Sequence, residues 1–253
     1  MQSSKRTTLD GIDVTGYMGT EYECKIISAH VMNISVIIPA LNEERQIANA
    51  ILSVGGEAEV IVVDGGSSDA TVEVAKQMSA AVLPSERGRG LQMDAGAKAA
   101  SGDVLLFLHG DTILPKGWSV KVRRAMSRRG VVGGAFRLRI DAPGLIFRVI
   151  ECGANLRASR LGLIFGDQAI FVRRDAFFAI GSLKTLPLME DVECVKRLKT
   201  IGRVEMVNDY VITSHRRWEG GFALANTLKN WGILTRYLLG ASPKKLYHRY
   251  YKL

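Results

Sequence analysis

Residues 34–44, IleSerValIleIleProAlaLeuAsnGluGlu, constrain the fold of this chain more than any other stretch. A β-branched run stops at a proline, a small polar turn follows, and two carboxylates come next. Short apolar runs of this kind, bounded by turn residues, belong to strands covered on both faces. The pattern recurs at 60–63, 81–83 and 104–108, with helical spacing between the runs. Strands alternating with helices predict βαβ units and a largely parallel sheet. Ligands of open α/β sheets bind beyond the carboxyl ends of the strands. Those ends are polar here: Asn42 and Glu43 after the first run, AspGlyGlySerSerAsp at 64–69 after the second, and HisGlyAsp at 109–111 after the fourth.

The spacing predicts a first helix over 43–53 with Ile47, Ala50 and Ile51 on one face. A second is capped by Ser68 or Asp69 and buries Val72, Ala75 and Met78, and a small-residue helix covers 90–100. Beyond residue 130 the pattern is less regular. A strand exposed on one side is expected at 131–140, a helix at 144–160, a short strand at 169–172 and an amphipathic helix at 192–201. Two edge strands follow at 204–207 and 211–213, and then a helix at 221–239. No linker rich in Pro, Gly or Ser divides residues 32–240, so one domain is expected there. Residues 1–31 are polar and aperiodic and read as a disordered extension. Residues 241–253 read as a basic, aromatic tail.

A chain of 253 residues, 47% of them hydrophobic, can bury a substantial core. Its net charge of +9 is spread over clusters at 121–129, 137–139, 196–203, 216–217 and 244–252. No aromatic-interleaved motif or helix-turn-helix pattern accompanies them, so nucleic acid is not an expected partner. Phosphorylated substrates and anionic lipid both suit such a surface. Cys24, Cys152 and Cys194 have neither metal-ligand spacing nor a disulfide framework, which suits a reducing cytoplasm. The first residues lack a signal-peptide core. Lys229 and Arg236 interrupt the most apolar stretch, at 222–240, which is too broken to span a bilayer.

Read by chemistry alone, Asn42 can cap a helix or meet a ligand, and Asp69 suits a cap. Gly65 and Gly66 allow a tight turn. Arg87 and Arg89 lie in a Gly–Arg–Gly segment that can grip a diphosphate in bidentate fashion or remain an exposed basic loop. His109 can ligate a metal, hydrogen-bond a phosphate or only pack. Glu190 and Asp191 can serve catalysis or complement a helix dipole. No Gly-x-Gly-x-x-Gly follows the first strand, which argues against a dinucleotide fold.

Taken together, these blocks resemble a family 2 glycosyltransferase over roughly residues 32–240. The blocks that carry the likeness are ArgGlyArgGlyLeuGlnMet at 87–93, PheLeuHisGlyAspThr at 107–112, GlyAspGlnAlaIlePheValArgArg at 166–174 and MetGluAspValGlu at 189–193. They are most like a bacterial subgroup often found beside radical-SAM genes. The resemblance implies an α/β fold of the GT-A (nucleotide-diphospho-sugar transferase) type. Its central sheet is mainly parallel and flanked by helices, and its N-terminal half is Rossmann-like. The implied activity is metal-dependent inverting transfer of one sugar from a UDP-sugar, or less readily a GDP-sugar, to an unknown hydroxyl acceptor. Pro39, Ala40, Asn42, Glu43, Asp64 and Gly65 then shape the nucleotide pocket, with Gln92 facing it. Arg87 and Arg89 steady the diphosphate. Asp111, after Gly110, holds Mn²⁺ or Mg²⁺. Many relatives have Asp–x–Asp here, and His109 replaces the first Asp. Gly166, Asp167 and Gln168 line the acceptor side, and Gly133, Gly134 and Phe136 leave room for a sugar ring. Asp191 is the general base, assisted by Glu190. Arg216 or Arg217 closes over the diphosphate and Trp218 stacks on sugar; the Gln that processive relatives carry in this region is missing. The C-terminal segment could contact an anionic membrane, at the inner face of the plasma membrane, and meet a lipid-linked acceptor. A non-catalytic sugar-nucleotide-binding regulator and a nucleotidyltransferase on a related fold are the alternatives.

Overall fold

Alternate burial explains the first sheet layer. In a computed structural model the first strand, β1 (Ile34–Ala40), turns Val36 and Ile38 to one side and Ile37 to the other, all fully buried. The second, β2 (Glu59–Asp64), and the fourth, β4 (Val104–Phe107), do the same, as expected of strands sandwiched between helices. One face packs on α1 (Ile47–Val54), α2 (Thr71–Gln77) and α4 (Trp118–Met126), through Ile47, Ile51, Ala75, Trp118 and Val122. The other packs on α3 (Arg89–Ala99), α6 (Arg174–Ala179) and α7 (Glu190–Ile201), through Met93, Ala97, Phe177, Cys194 and Leu198.

The structure describes residues 31–183, 186, 188–218 and 223–251, without the side chains of 217–218, 223–226 and 251. The expected extension at 1–31, with Cys24, therefore lies almost wholly outside the described residues, as does the predicted start of the last helix at 221–222. Within them the sheet has eight strands in the order β3-β2-β1-β4-β7-β6-β8-β5. The remaining strands are β3 (Ala81–Pro84), β5 (Thr112–Ile113), β6 (Val131–Asp141), β7 (Phe171–Arg173) and β8 (Arg203–Ser214). Strands β1 to β4 are parallel to one another. Strand β7 then inserts antiparallel between β4 and β6, so the sheet is mixed beyond the first half.

Several boundaries differ from the sequence reading for identifiable reasons. The first helix begins at Ile47, and Glu43 and Glu44 belong to the turn before it, because Asn42 takes a left-handed φ of 56° that breaks the helical path. The two expected edge strands are one strand, β8. Its partner register jumps from Val207 to Tyr210, so Asn208 and Asp209 bulge outward and interrupt the alternation. Gly134 leaves no room for a sugar: a Cβ there would stand 2.4 Å from both the Glu205 carbonyl oxygen and the Phe171 ring. Phe136 is likewise in the core. The helix expected at 144–160 is α5 (Leu145–Leu156), running into a π-helical turn, Arg157–Leu161. After α8 (Ala223–Leu238), the expected tail is helix α9 (Pro243–Tyr251), whose Leu246 is buried with Leu188, Met189, Val192, Ile233 and Leu234. Among the described residues no helix is long and apolar enough to cross a membrane.

Candidate active site

Two loops are knitted together at the carboxyl edge of β1 and β2. Asn42 N–H donates to Ser67 Oγ (2.9 Å), and Ser68 N–H donates to Asn42 Oδ1 (2.8 Å). Glu43 N–H donates to Thr71 Oγ1 (2.8 Å). Asp64 accepts from the Gly66 and Ser67 amides at 3.0 and 3.1 Å, so its carboxylate shapes its own turn. Asn42 is therefore a loop-to-loop tie, and it does not cap the helix after it. Asp69 accepts from the Thr71 amide at 3.0 Å, at the entry to α2. Pro39 and Ala40 end β1 beside Val63 and Asp64 of β2. Gly65 lies against the Gln92 amide, which a Cβ would approach to 3.0 Å. Gln92 does not face a ligand: its amide nitrogen donates at 2.8 Å to both the Ala40 and Val63 carbonyls, pinning α3 under the strand ends.

The next strand end carries His109, Gly110 and Asp111. His109 and Asp111 are 7% and 6% exposed, so both polar groups sit inside the protein at the rim of the crevice. Gly110 passes close to Glu43, whose Cγ a Cβ would meet at 3.1 Å. Arg216 reaches over this point. Its guanidinium is hydrogen-bonded to the Glu43 carboxylate and lies 3.9 Å from Asp111 Oδ2. The Ser214 amide donates to the Asp111 carbonyl (3.0 Å), which ties the end of β8, and so His215 and Arg216, to the strand-end loop. The side chains of Arg217 and Trp218 lie outside those described.

The acids of α7 enter from the other side. Asp191, 7% exposed, accepts from the Gly166 amide (2.7 Å) and from its neighbour Val192 (2.7 Å). Gly166 also lies against His109: a Cβ there would stand 2.8 Å from Nε2 and 3.4 Å from Asp191 Oδ2. Only a hydrogen at this position lets the imidazole and the carboxylate share the space. Glu190 pairs with Arg89 at 2.6 Å, and Arg89 Nη1 lies 3.5 Å from His109 Nε2. Burial pushes the Glu190 carboxyl above its ordinary range; Arg89 opposes this and Asp191 reinforces it. Gln168, fully buried, turns away from the crevice and bonds to the backbone at Phe165 and Phe136. Arg87 is exposed on the loop before α3, two residues from Arg89.

A cavity of about 80 Å³ lies beside His109 and the start of α7. Arg89, His109, Gly166, Asp167 and Asp191 line it on one side, and Met189, Asn230, Ile233 and Tyr250 on the other. A larger hollow, about 580 Å³, lies at the opposite end of β2 and β3, away from every strand-end acid. The sequence reading missed the contributions of α8 and α9 to the site, and it missed Arg157. That residue is 6% exposed, stacks 3.5 Å from the Phe165 ring centre and faces the charges of Asp167 and Asp191. Burial draws its pKa down and the two carboxylates raise it. An arginine nine residues before GlyAspGln was the signal available.

No group of three His, Cys, Asp or Glu side chains among the described residues forms a ready-made metal cage. Asp111 is a buried carboxylate at a strand end, accepting from Thr112 Oγ1 at 3.3 Å with the Arg216 guanidinium 3.9 Å away. That fits a hard cation whose remaining ligands are phosphate oxygens and water, since Mg²⁺-type sites commonly use one or two carboxylates plus substrate phosphates.

The fold is of the GT-A glycosyltransferase type. The model of the glycosyl transferase family 2 matches residues 35–183, and the chain belongs to that family. It is 34% identical to glycosyltransferase AglE of Haloferax volcanii over 116 residues, 40% of this chain and 38% of that protein. It is also 34% identical to glucosyl-3-phosphoglycerate synthase of Mycobacterium tuberculosis over 96 residues, 32% of this chain and 30% of that protein. The chain thus spans about a third of the length of these relatives. The crystal structure of the M. tuberculosis synthase with Mn²⁺, UDP-glucose and phosphoglyceric acid superposes with a TM-score of 0.53 at 25% identity, covering 71% of this chain and 70% of that one. The same synthase with Mg²⁺ and UDP gives 0.51 at 25% identity, with 71% and 70% covered. S. aureus TarS 1–349 shares the fold, with a TM-score of 0.55 at 17% identity over 78% of this chain and 64% of that one.

Proposed function

We propose that this protein is an inverting, metal-dependent glycosyltransferase that moves one sugar from a UDP-sugar to a hydroxyl acceptor. The observation that carries the reading is the position of Asp191. It is a buried carboxylate at the start of α7, fixed by the Gly166 amide, and it lines one cavity with His109, the residue two before Asp111. Inverting transfer needs one carboxylate to take the acceptor's proton as its oxygen attacks the anomeric carbon. Two amide donors hold Asp191 in a single orientation for that task. Glu190 orients Arg89, and Arg89 in turn supplies positive charge where the diphosphate departs. Pro39, Ala40, Asn42, Glu43, Asp64 and Gly65 frame the nucleotide. Asp111 would hold Mn²⁺ or Mg²⁺, with His109 beside it. When bound, the cation offsets the charge that accumulates on the leaving diphosphate. Arg216, held by Glu43, is placed to move onto that diphosphate, with Arg217 and Trp218 next to it in sequence. Gly166 and Asp167 border the acceptor side. UDP is favoured as the donor nucleotide because the synthase that this chain resembles is described with UDP and UDP-glucose.

The acceptor is proposed to be lipid-linked, reached by peripheral contact of the C-terminal segment with a membrane. Free Cys152 and Cys194 suit the cytoplasmic side of that membrane.

The test is release of UDP from UDP-glucose and other UDP-sugars, with and without Mn²⁺, beside calorimetry of UDP binding. Turnover that needs the cation supports the reading. Cation-dependent UDP binding with no UDP release from any donor, in the presence of cell-extract acceptors, would instead identify a sugar-nucleotide-binding regulator. A nucleotidyltransferase would release pyrophosphate from UTP.

A further inference from the structure

Helices α5 and α8 pack against each other, and each leaves an apolar stripe facing solvent. On α5 the stripe is Leu145, Val149 and Leu156, exposed at 84%, 65% and 54%. Their spacing of four and seven residues puts them on one side, opposite buried Ile150 and Glu151. On α8 it is Leu228, Trp231 and Leu238, exposed at 62%, 40% and 57%, opposite buried Ile233. Leu239, next in sequence, is 83% exposed. Exposed apolar area concentrated on two touching helices marks a contact surface.

Charge selects the occupant. From residue 223 to 251 the chain has no Asp or Glu, yet it carries Lys229, Arg236, Lys244, Lys245 and Arg249. A second copy docked about a two-fold axis would set this basic set against its like, which costs several-fold in affinity or more. An anionic bilayer satisfies both features: acyl chains take the leucines and the headgroups take the lysines and arginines. The same two C-terminal helices supply Asn230, Ile233 and Tyr250 to the cavity that holds Asp191. We infer that α5 and α8 together form the membrane-seated face of the protein, resting on anionic lipid, so that an amphiphilic acceptor enters the cavity between α7 and α8 from the bilayer. This deepens the glycosyltransferase reading by naming the face that meets the bilayer, and it rests on that reading only for the acceptor.

The test is flotation of the full chain with phosphatidylglycerol vesicles and with phosphatidylcholine vesicles, at low and high salt, beside sedimentation velocity. Binding to phosphatidylglycerol alone, weakened by salt, is expected. Leu145→Glu with Val149→Glu should lower the vesicle partition at least about tenfold. Lys244→Gln with Lys245→Gln should weaken binding and flatten its salt dependence. All four side chains are exposed and lie outside the catalytic crevice, so UDP release from UDP-sugar in solution should stay at the wild-type level in both variants. Equal binding to the two lipids, unchanged binding by the Glu variant, or a dimer that the Glu variant splits would each overturn the inference. Vesicle binding without UDP binding in any variant would overturn the glycosyltransferase reading and leave the membrane face standing.

Discussion

Glu190 and Asp191 are adjacent carboxyls with opposite demands. Asp191 is fixed by two amides, and Glu190 is spent on Arg89. Asp191→Asn keeps the size of the side chain but cannot take a proton and gives up one of its two amide contacts, so it should leave UDP affinity unchanged and reduce transfer by about a hundredfold to ten-thousandfold. Calorimetry and UDP release together check this, and near-normal turnover would remove the assignment. Asp111→Asn should lose the cation-dependent part of UDP binding, read as equal affinities with and without Mn²⁺. Glu190 makes a pH prediction. Its folded-state pKa is raised above the ordinary 4.5, chiefly by burial, so the folded protein holds this proton to higher pH than the unfolded chain does. The stability it confers is therefore complete below 4.5 and declines as pH rises through the folded value. In denaturant titrations at about pH 5 and about pH 8, wild type should lose stability relative to Glu190→Gln as pH rises. A constant difference would mean that Arg89 keeps Glu190 ionised throughout.

At the scale of elements, α3 is held close under the sheet by its small residues. A Cβ at Gly96 would come within 2.4 Å of Ile37 Cγ2 and 3.0 Å of Val63 Cγ2. Both neighbours are fully buried and branched, so neither can swing aside. Gly96→Ala gains up to about 1 kcal/mol of helix propensity. Overpacking typically costs about 1–3 kcal/mol. The clash should win, lowering the denaturation midpoint by an amount equivalent to up to about 2 kcal/mol net. Because Gln92 sits on the same helix and ties the ends of β1 and β2 together, the same substitution should also weaken UDP binding.

The whole molecule closes its crevice from sequence-distant parts. Glu43 comes from the first strand loop, Asp111 from the fourth strand end and Arg216 from beyond the last strand, and all three meet at one point. A ligand that bridges them should stabilise the whole fold. At about 100 times its dissociation constant, UDP with Mn²⁺ should add about 2.7 kcal/mol. Thermal melts should show a larger shift for UDP plus Mn²⁺ than the sum of the separate shifts. Purely additive shifts would mean that the two ligands occupy independent places.

The sequence by itself determined the parallel half of the sheet and its polar edge. Doubly buried strands must be continuously apolar, and the residues that interrupt them at 42–43, 64–69 and 109–111 are the turns where ligands can approach. It did not determine which polar residues look outward. Gln92 and Gln168 have suitable chemistry and suitable positions in sequence, yet both are turned to backbone carbonyls and amides, because a buried carbonyl or amide must find a partner wherever the fold puts it. Nor could local spacing reveal that Asn230 and Tyr250 border the cavity, that Arg157 stacks on Phe165 of its wall, or that β8 runs beside β6 through a bulge. Those relations join residues far apart along the chain, and only the tertiary packing of α5, α7, α8 and α9 brings them within reach of one another.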